Sequence, residues 1–395
     1  WEKIQEVLAK RYAGVLKRLD QVNNDDVFER FMNTFAHAVD PHSSYLSPRN
    51  ADEYRIAMSL SYVGIGATLQ TDEDYVRIVN IIRGGPADFD GTLKRDDRIT
   101  AVSQGPEGEF VDVIGWRLDD VVDLIRGPKE SVVRLQIIPA NSIPGSPKEI
   151  VSLTRGAVKL EEQAAKSKVI NVPREGREWS IGVIEVPGFY RDYRAMTNGD
   201  ANYTSVTSDV KRLIGELEEE GIDGLVIDMR GNGGGHLTEA TALSGLFIDN
   251  GPIVQLRNSV DVRRSPPQRL DDPDPVARVA YNGPLAVLVD RFSASASEIF
   301  AGAIQDYARG VIVGQQTFGK GTVQNLYSLD QYFRREDDKG FGQLTLTIGK
   351  YYRVTGESTQ HRGVLPDIEL PSNIDAELVG ESARENALPW DTVQS

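Results

Sequence analysis

Two segments of this chain carry side chains that could do covalent chemistry. In Asp290-Arg291-Phe292-Ser293-Ala294-Ser295-Ala296-Ser297-Glu298, three serines alternate with alanines between an apolar run and a helical pattern. Further on, Lys320 stands in Phe318-Gly319-Lys320-Gly321, between two strand patterns, an odd place for a solvated charge. A serine hydroxyl is a weak nucleophile and needs a base within about 3 Å. Lysine can be that base only if burial lowers its pKa by roughly three units, about 4 kcal/mol of differential interaction. Gln324 falls four residues beyond Lys320, on the same face if both lie on one strand. Its amide oxygen could accept from the amine without the negative charge that would keep the lysine protonated. The serines also have a plain structural reading, because Ser295-x-x-Glu298 is a capping box for the helix that follows.

A third segment, Gly231-Asn232-Gly233-Gly234-Gly235-His236, follows a strand pattern and precedes a helical one. It reads as a tight turn or as a set of unencumbered backbone amides for an anion or oxyanion. A dinucleotide fingerprint would need glycine where His236 stands. The stretch Gly314 to Gly321 imitates a phosphate-binding loop. Gly321 replaces the metal-holding Ser/Thr, however, and Thr322 to Tyr327 reads as a strand where that loop requires a helix. No GxSxG elbow is present. The four histidines, His37, His42, His236 and His361, form no HExxH and share no helix turn, so no metal site is expected.

Something must hold these segments together. Ile181 to Val186, Leu225 to Met229, Leu285 to Val289 and Val311 to Val313 read as strands. Helical patterns at Val206 to Glu220, Leu237 to Phe247 and Ala296 to Tyr307 alternate with them. Apolar strands alternating with helices predict an α/β core with both sheet faces covered. Residues 1 to about 57 read as helical, with Ile4, Val7, Leu8, Tyr12, Val15 and Leu19 in one stripe, broken at Asp40-Pro41-His42-Ser43-Ser44. Between Ser61 and Pro139 short β-branched runs surround one helical pattern, Arg117 to Arg126, as in a compact unit of its own. Asn141 to Pro147 reads as a linker and Arg257 to Arg278 as a surface loop.

Composition removes whole classes. The 395 residues leave ample length for two or three domains. A net charge of −15 speaks against nucleic acid as a partner. No apolar run approaches a membrane span. The absence of cysteine excludes disulfides, thiolate metal sites and cysteine nucleophiles.

Together, Ser293-Ala294-Ser295-Ala296-Ser297-Glu298-Ile299 and Gly314-Gln315-Gln316-Thr317-Phe318-Gly319-Lys320-Gly321-Thr322-Val323-Gln324 resemble the carboxy-terminal processing, or tail-specific, proteases, which are Ser–Lys peptidases. Asp228 to Gly235 is similar to their oxyanion loop, and Tyr62-Val63-Gly64-Ile65-Gly66-Ala67 to the carboxylate-binding loop of a PDZ domain. Asp40-Pro41-His42-Ser43-Ser44-Tyr45-Leu46 resembles the segment that precedes that domain. Gly233 stands where many members have proline. The resemblance implies an α/β (multidomain α+β) fold: an N-terminal helical segment at 1–57, a PDZ-like domain at 58–140 and a protease core at 141–395. It implies Ser295 as nucleophile, Lys320 as general base, Gln324 as its orienting partner, and the amides of Gly235 and Ala296 as the oxyanion hole. For tail binding it implies the amides of Gly64, Ile65 and Gly66. Leu118 and Val122 are then either pocket lining or domain core.

It further implies protein substrates with apolar C-termini, gating by movement of the PDZ-like domain, no cofactor and a periplasmic location. An adaptor protein is a possible further partner, and no motif speaks to oligomeric state. Because the family's larger members have longer flanks and this chain starts at Trp1, part of the parent protein is expected to lie outside it. A non-catalytic scaffold that binds C-termini, or an esterase-like Ser–Lys enzyme, would share some of these features. The presence of Ser295, Lys320 and Gln324 together argues against the first. A tail-binding domain argues against the second.

Overall fold

The computed structural model describes residues 1–142, 147–258, 268–270, 279–332, 340–375 and 377–394. They form two compact units, one of Trp1–Asn23 with Leu60–Glu162 and one of Asn24–Ser59 with Gln163–Ser395. The expected linker at Asn141 to Pro147 and the expected loop at Arg257 to Arg278 lie largely outside the described residues.

The first unit is built on an antiparallel sheet. Its strands run in the order Ala67–Asp72, Tyr75–Ile81, Arg98–Gln104, Val132–Ile138 and Glu149–Thr154. Alternation explains its core: Val133, Leu135 and Ile137 are buried, while Arg134 and Gln136 face the other way. The helix Leu118–Ile125 lays Val121 and Ile125 on the same core. Its last carbonyls are met by the buried Arg155 guanidinium, which donates to Ile125 O at 2.8 Å and Leu124 O at 3.0 Å. Ser61–Gly64 pairs separately with Gly156–Lys159.

The second unit contains the α/β sheet. A hairpin of Lys166–Arg174 and Arg177–Glu185 is continued by Gly224–Asp228, Leu285–Val289, Val311–Gly314 and Ile368–Glu369, all parallel from Arg177–Glu185 onward. Leu285, Val287 and Val289 are buried on one face of their strand, and Ala286 and Leu288 are half-buried on the other. The helices Val206–Glu219, Leu237–Gly245 and Ala296–Asp306 make the crossovers. The three reactive segments therefore leave the carboxyl ends of three adjacent parallel strands, where open α/β sheets place their sites.

A second sheet is absent from the pattern reading. Its centre is Gln343–Tyr352, paired with Thr322–Ser328, with Val254–Asn258 and with the short strand Ser44–Leu46. Ser44–Leu46 lies at the end of the stretch read as a break. It is extended because Gln343–Thr345 offers it a ladder, a partner about 300 residues away that no local pattern reveals.

Candidate active site

The strand Leu285–Val289 ends in a tight turn knotted by Asp290, whose Oδ1 accepts from the amides of Phe292 and Ser293 and from Gly231 of the glycine segment. Ser295 follows with φ 56° and ψ −111°, a strained conformation for a side chain-bearing residue, costing about 1–3 kcal/mol. The next residue starts the helix Ala296–Asp306. Ser293 and Ser297 are fully buried, and their hydroxyls donate to Met229 O at 2.8 Å and Asn232 O at 2.9 Å. Of the three serines, Ser295 is the one whose hydroxyl is not spent on a buried carbonyl among the described residues; its side chain faces the first-turn amide of its own helix, as the capping box requires.

The glycine segment presses on that turn. A Cβ on Gly234 would stand 2.9 Å from Ser295 Cβ, 2.9 Å from Ala294 O and 3.1 Å from Ala296 N, and Gly234 has φ +105°. On Gly235, with φ +145°, a Cβ would stand 2.4 Å from Phe189 O. Glycine is required at both positions because backbone passes against backbone. Among the described residues, neither Gly235 N–H nor Ala296 N–H donates a backbone hydrogen bond. The two amides expected to form an oxyanion hole are therefore both unspent.

Lys320 lies in the loop between Val311–Gly314 and Thr322–Ser328. Burial lowers its pKa, opposed by the charges of Glu381, Glu298 and Asp40. Because Lys320 precedes the strand, the same-face reading holds only for Thr322 and Gln324; a register shift at Val323/Gln324 also breaks the regular ladder there. Gln324 Nε2 donates to Thr322 Oγ1 at 2.9 Å and Thr347 Oγ1 at 3.0 Å. No hydrogen bond joins Ser295 Oγ, Lys320 Nζ and Gln324 Oε1 among the described residues.

Two residues fasten the serine and lysine segments together. Glu298 Oε2 accepts from Ser295 N at 2.8 Å and from Lys320 N at 2.9 Å. Its Oε1 accepts from Thr317 Oγ1 at 2.6 Å and Gly319 N at 2.7 Å. Burial pushes this carboxyl up to about 7 despite those four donors. The hydroxyl of the buried Tyr351 lies between Ser295 O, at 3.1 Å, and Lys320 O. As the reciprocal half of the capping box, Glu298 binds the Ser295 amide. What local spacing could not show is that the same carboxylate holds a second loop.

In the first unit, Gly66 has φ +78°, and the amides of Ile65 and Gly66 donate no backbone hydrogen bond among the described residues. Gly64 pairs with Gly156. The Ile65 side chain is buried in the domain core, so this residue can offer only its backbone. The strand that follows, Ala67–Asp72, is an edge, paired on one side only among the described residues. Leu118 packs against the core cluster, whereas Val122 stands outside it and half-buried. Leu118 is itself only half-buried, so packing on the core and lining a groove are compatible for it.

Among the described residues, no group of three or more His, Asp or Glu could hold a metal ion, and no helix is long and apolar enough to cross a membrane. His42 donates or accepts at Glu381 Oε2, 2.7 Å away, which accounts for it structurally.

Residues 180–370 match the family model for Peptidase family S41, residues 1–49 that for the tail specific protease N-terminal domain, and residues 55–138 that for the PDZ domain. Over its whole length the chain is 44% identical to a tail-specific protease of Haemophilus influenzae, of which it covers 53%. It is 28% identical to a carboxy-terminal-processing protease of Bartonella bacilliformis, with 88% of this chain and 70% of that protein aligned. Among solved structures, a photosystem II D1 C-terminal processing protease aligns over 92% of this chain and 87% of its own, at 25% identity and a TM-score of 0.45. The chain thus spans about half the length of the Haemophilus relative.

Proposed function

Because the chain belongs to the carboxy-terminal processing (tail-specific) proteases of Peptidase family S41, we propose that it is a serine endopeptidase acting on proteins with apolar C-terminal tails. One observation carries the catalytic half: a single carboxylate oxygen of Glu298 binds the amides of both Ser295 and Lys320. In the aligned site, Ser295 Oγ attacks the scissile carbonyl and its proton passes to neutral Lys320 Nζ. The oxyanion is received by the N–H groups of Gly235 and Ala296. As the C–N bond breaks, Lys320 returns the proton to the leaving amine, leaving an acyl ester on Ser295. Water then attacks the ester, giving its proton to Lys320, which passes it back to Ser295 Oγ as the carboxyl product departs. Gln324 orients the amine throughout. The lowered pKa of Lys320 supplies the unprotonated fraction that the first step needs.

Tail recognition belongs to residues 58–140. A peptide would add to the edge strand Ala67–Asp72, with its carboxylate on the amides of Ile65 and Gly66. Movement of this unit, with hinges at 55–62 and 141–148, gates the site in this proposal. A periplasmic location is part of the same reading and rests on likeness to a bacterial tail-specific protease.

The test is hydrolysis of an unstructured polypeptide ending in apolar residues, against the same polypeptide amidated at its C-terminus. Cleavage should be lost in Ser295→Ala and weakened by amidation through a raised KM. Binding without cleavage by the unaltered chain would favour a scaffold. Equal cleavage of free and amidated substrates would remove the carboxylate nest. Hydrolysis of a short reporter should rise when an uncleavable apolar tail peptide is added; no effect would remove the gating.

A further inference from the structure

The segment Asp40–Ser43 is joined to Gln324 through Thr347. Asp40 is buried, and its Oδ1 accepts from Thr347 Oγ1 at 2.9 Å and His42 N at 2.9 Å. Its other oxygen accepts from Ser43 Oγ, which itself accepts from Thr347 N at 3.2 Å. Burial works against the Asp40 charge, but these bonds outweigh it and hold its pKa below the ordinary value. An ionised carboxylate only accepts. The single hydroxyl hydrogen of Thr347 must therefore go to Asp40, and the oxygen of Thr347 can only accept from Gln324. The Gln324 amide has two N–H donors, and both are then committed, one to Thr347 Oγ1 and one to Thr322 Oγ1. Its carbonyl oxygen is the one polar atom left to serve another group.

The geometry points to Asp40 and Thr347 as positioning residues that fix which end of the Gln324 amide is presented to the catalytic lysine. This rests on the role proposed for Gln324 above. The direction matters chemically. An amide turned over would offer N–H to the lone pair of Lys320, the pair that must take the Ser295 proton. It would then compete with the nucleophile. A glutamine with two equivalent neighbours could adopt either orientation, whereas one whose neighbour is locked by a buried carboxylate has a single favoured direction. The N-terminal segment, about 300 residues away in sequence, thus bears on the base through Thr347 and Gln324. The same short segment also reaches the other side of the lysine loop. His42 pairs with Glu381, which accepts from Gln360 Nε2 at 2.7 Å, and Gln360 Oε1 accepts from Gly321 N at 2.8 Å.

Thr347→Val keeps the side-chain shape but removes the hydroxyl, and Thr347→Ser restores it. In the full chain, Thr347→Val should lower kcat for a cleavable apolar-tailed reporter by about tenfold with KM little changed, while Thr347→Ser retains at least half of the rate. Combined with Gln324→Ala, Thr347→Val should cost no more than about twofold further, because the amide it orients is gone. Asp40→Asn should lower kcat in the same way, and equally lose its effect beside Gln324→Ala. An equal fold-loss from Thr347→Val with and without Gln324 would overturn the proposal, since it would show a merely structural role. So would wild-type kcat in Thr347→Val. Activity surviving Lys320→Ala or Gln324→Ala at the wild-type rate would instead overturn the catalytic reading on which the proposal depends.

Discussion

Gly234→Ala tests whether the glycine segment and Ser295 work as one unit. The added Cβ would meet Ala294 O and Ser295 Cβ at 2.9 Å and Ala296 N at 3.1 Å. None of these neighbours is the free end of a flexible side chain, so the segment itself must move. The backbone at φ +105° also disfavours any Cβ, at a cost of about 1–3 kcal/mol. In the proposed mechanism, displacing the segment would move the Gly235 amide, one of the two N–H groups assigned there to the oxyanion. Loss of one oxyanion donor generally costs 10²–10³ in kcat, roughly 2.7–4 kcal/mol. Gly233→Ala is the matched control, because nothing lies within 4 Å of its added Cβ and its φ is outside the left-handed range. The assay is steady-state hydrolysis of a quenched fluorogenic peptide with an apolar tail, accompanied by denaturant unfolding. Gly234→Ala should lose at least a hundredfold in kcat with KM little changed, and Gly233→Ala should stay within about twofold of the parent. A Gly234→Ala enzyme with a third of its activity left, or a Gly233→Ala enzyme equally damaged, would refute the assigned contact between segment and nucleophile.

Activity should rise with pH through the lowered pKa of Lys320, because burial favours the neutral amine and the ammonium form below that pKa cannot take a proton. Lys320→Arg should be inactive at every working pH, since guanidinium holds its proton; a pH–rate profile of both proteins checks this. Glu298 has a folded pKa of about 7 against 4.5 for the free group, so between those values the folded state binds more protons and stability falls as pH rises. Glu298→Gln should flatten that part of the dependence, measured by denaturant unfolding at several pH values, and should lower kcat by loosening the Ser295 and Lys320 amides. Ser293→Ala should leave catalysis largely in place yet cost about 1–3 kcal/mol of stability, because it strips a buried partner from Met229 O and Asp290 N. Equal unfolding midpoints for this variant and the parent would contradict it.

The reactive segments were legible because they are punctuated locally. Short apolar strands end in small residues and glycines, and a helical period starts again after Ser295 or His236, so strand, turn and helix follow from spacing alone. The observed helix Ala296–Asp306 and strand Leu285–Val289 lie where that pattern puts them. Amphipathic spacing also located Leu118–Ile125, but not its rotation. How far Leu118 packs on the core depends on which face the sheet occupies, and contacts with other strands decide that. The long strand Gln343–Tyr352 and its partner Ser44–Leu46 were invisible, because each is defined by the other across the whole chain. So were Tyr351, Thr347 and Asp40 as neighbours of the lysine loop. A buried carboxylate or phenol carries no local signature of the groups it will meet. Sequence spacing therefore fixed which residues stand at the carboxyl ends of the parallel strands. Only the tertiary fold brought Glu298 between Ser295 and Lys320 and set Asp40 behind Gln324, since long-range packing and desolvation decide which polar groups must satisfy one another.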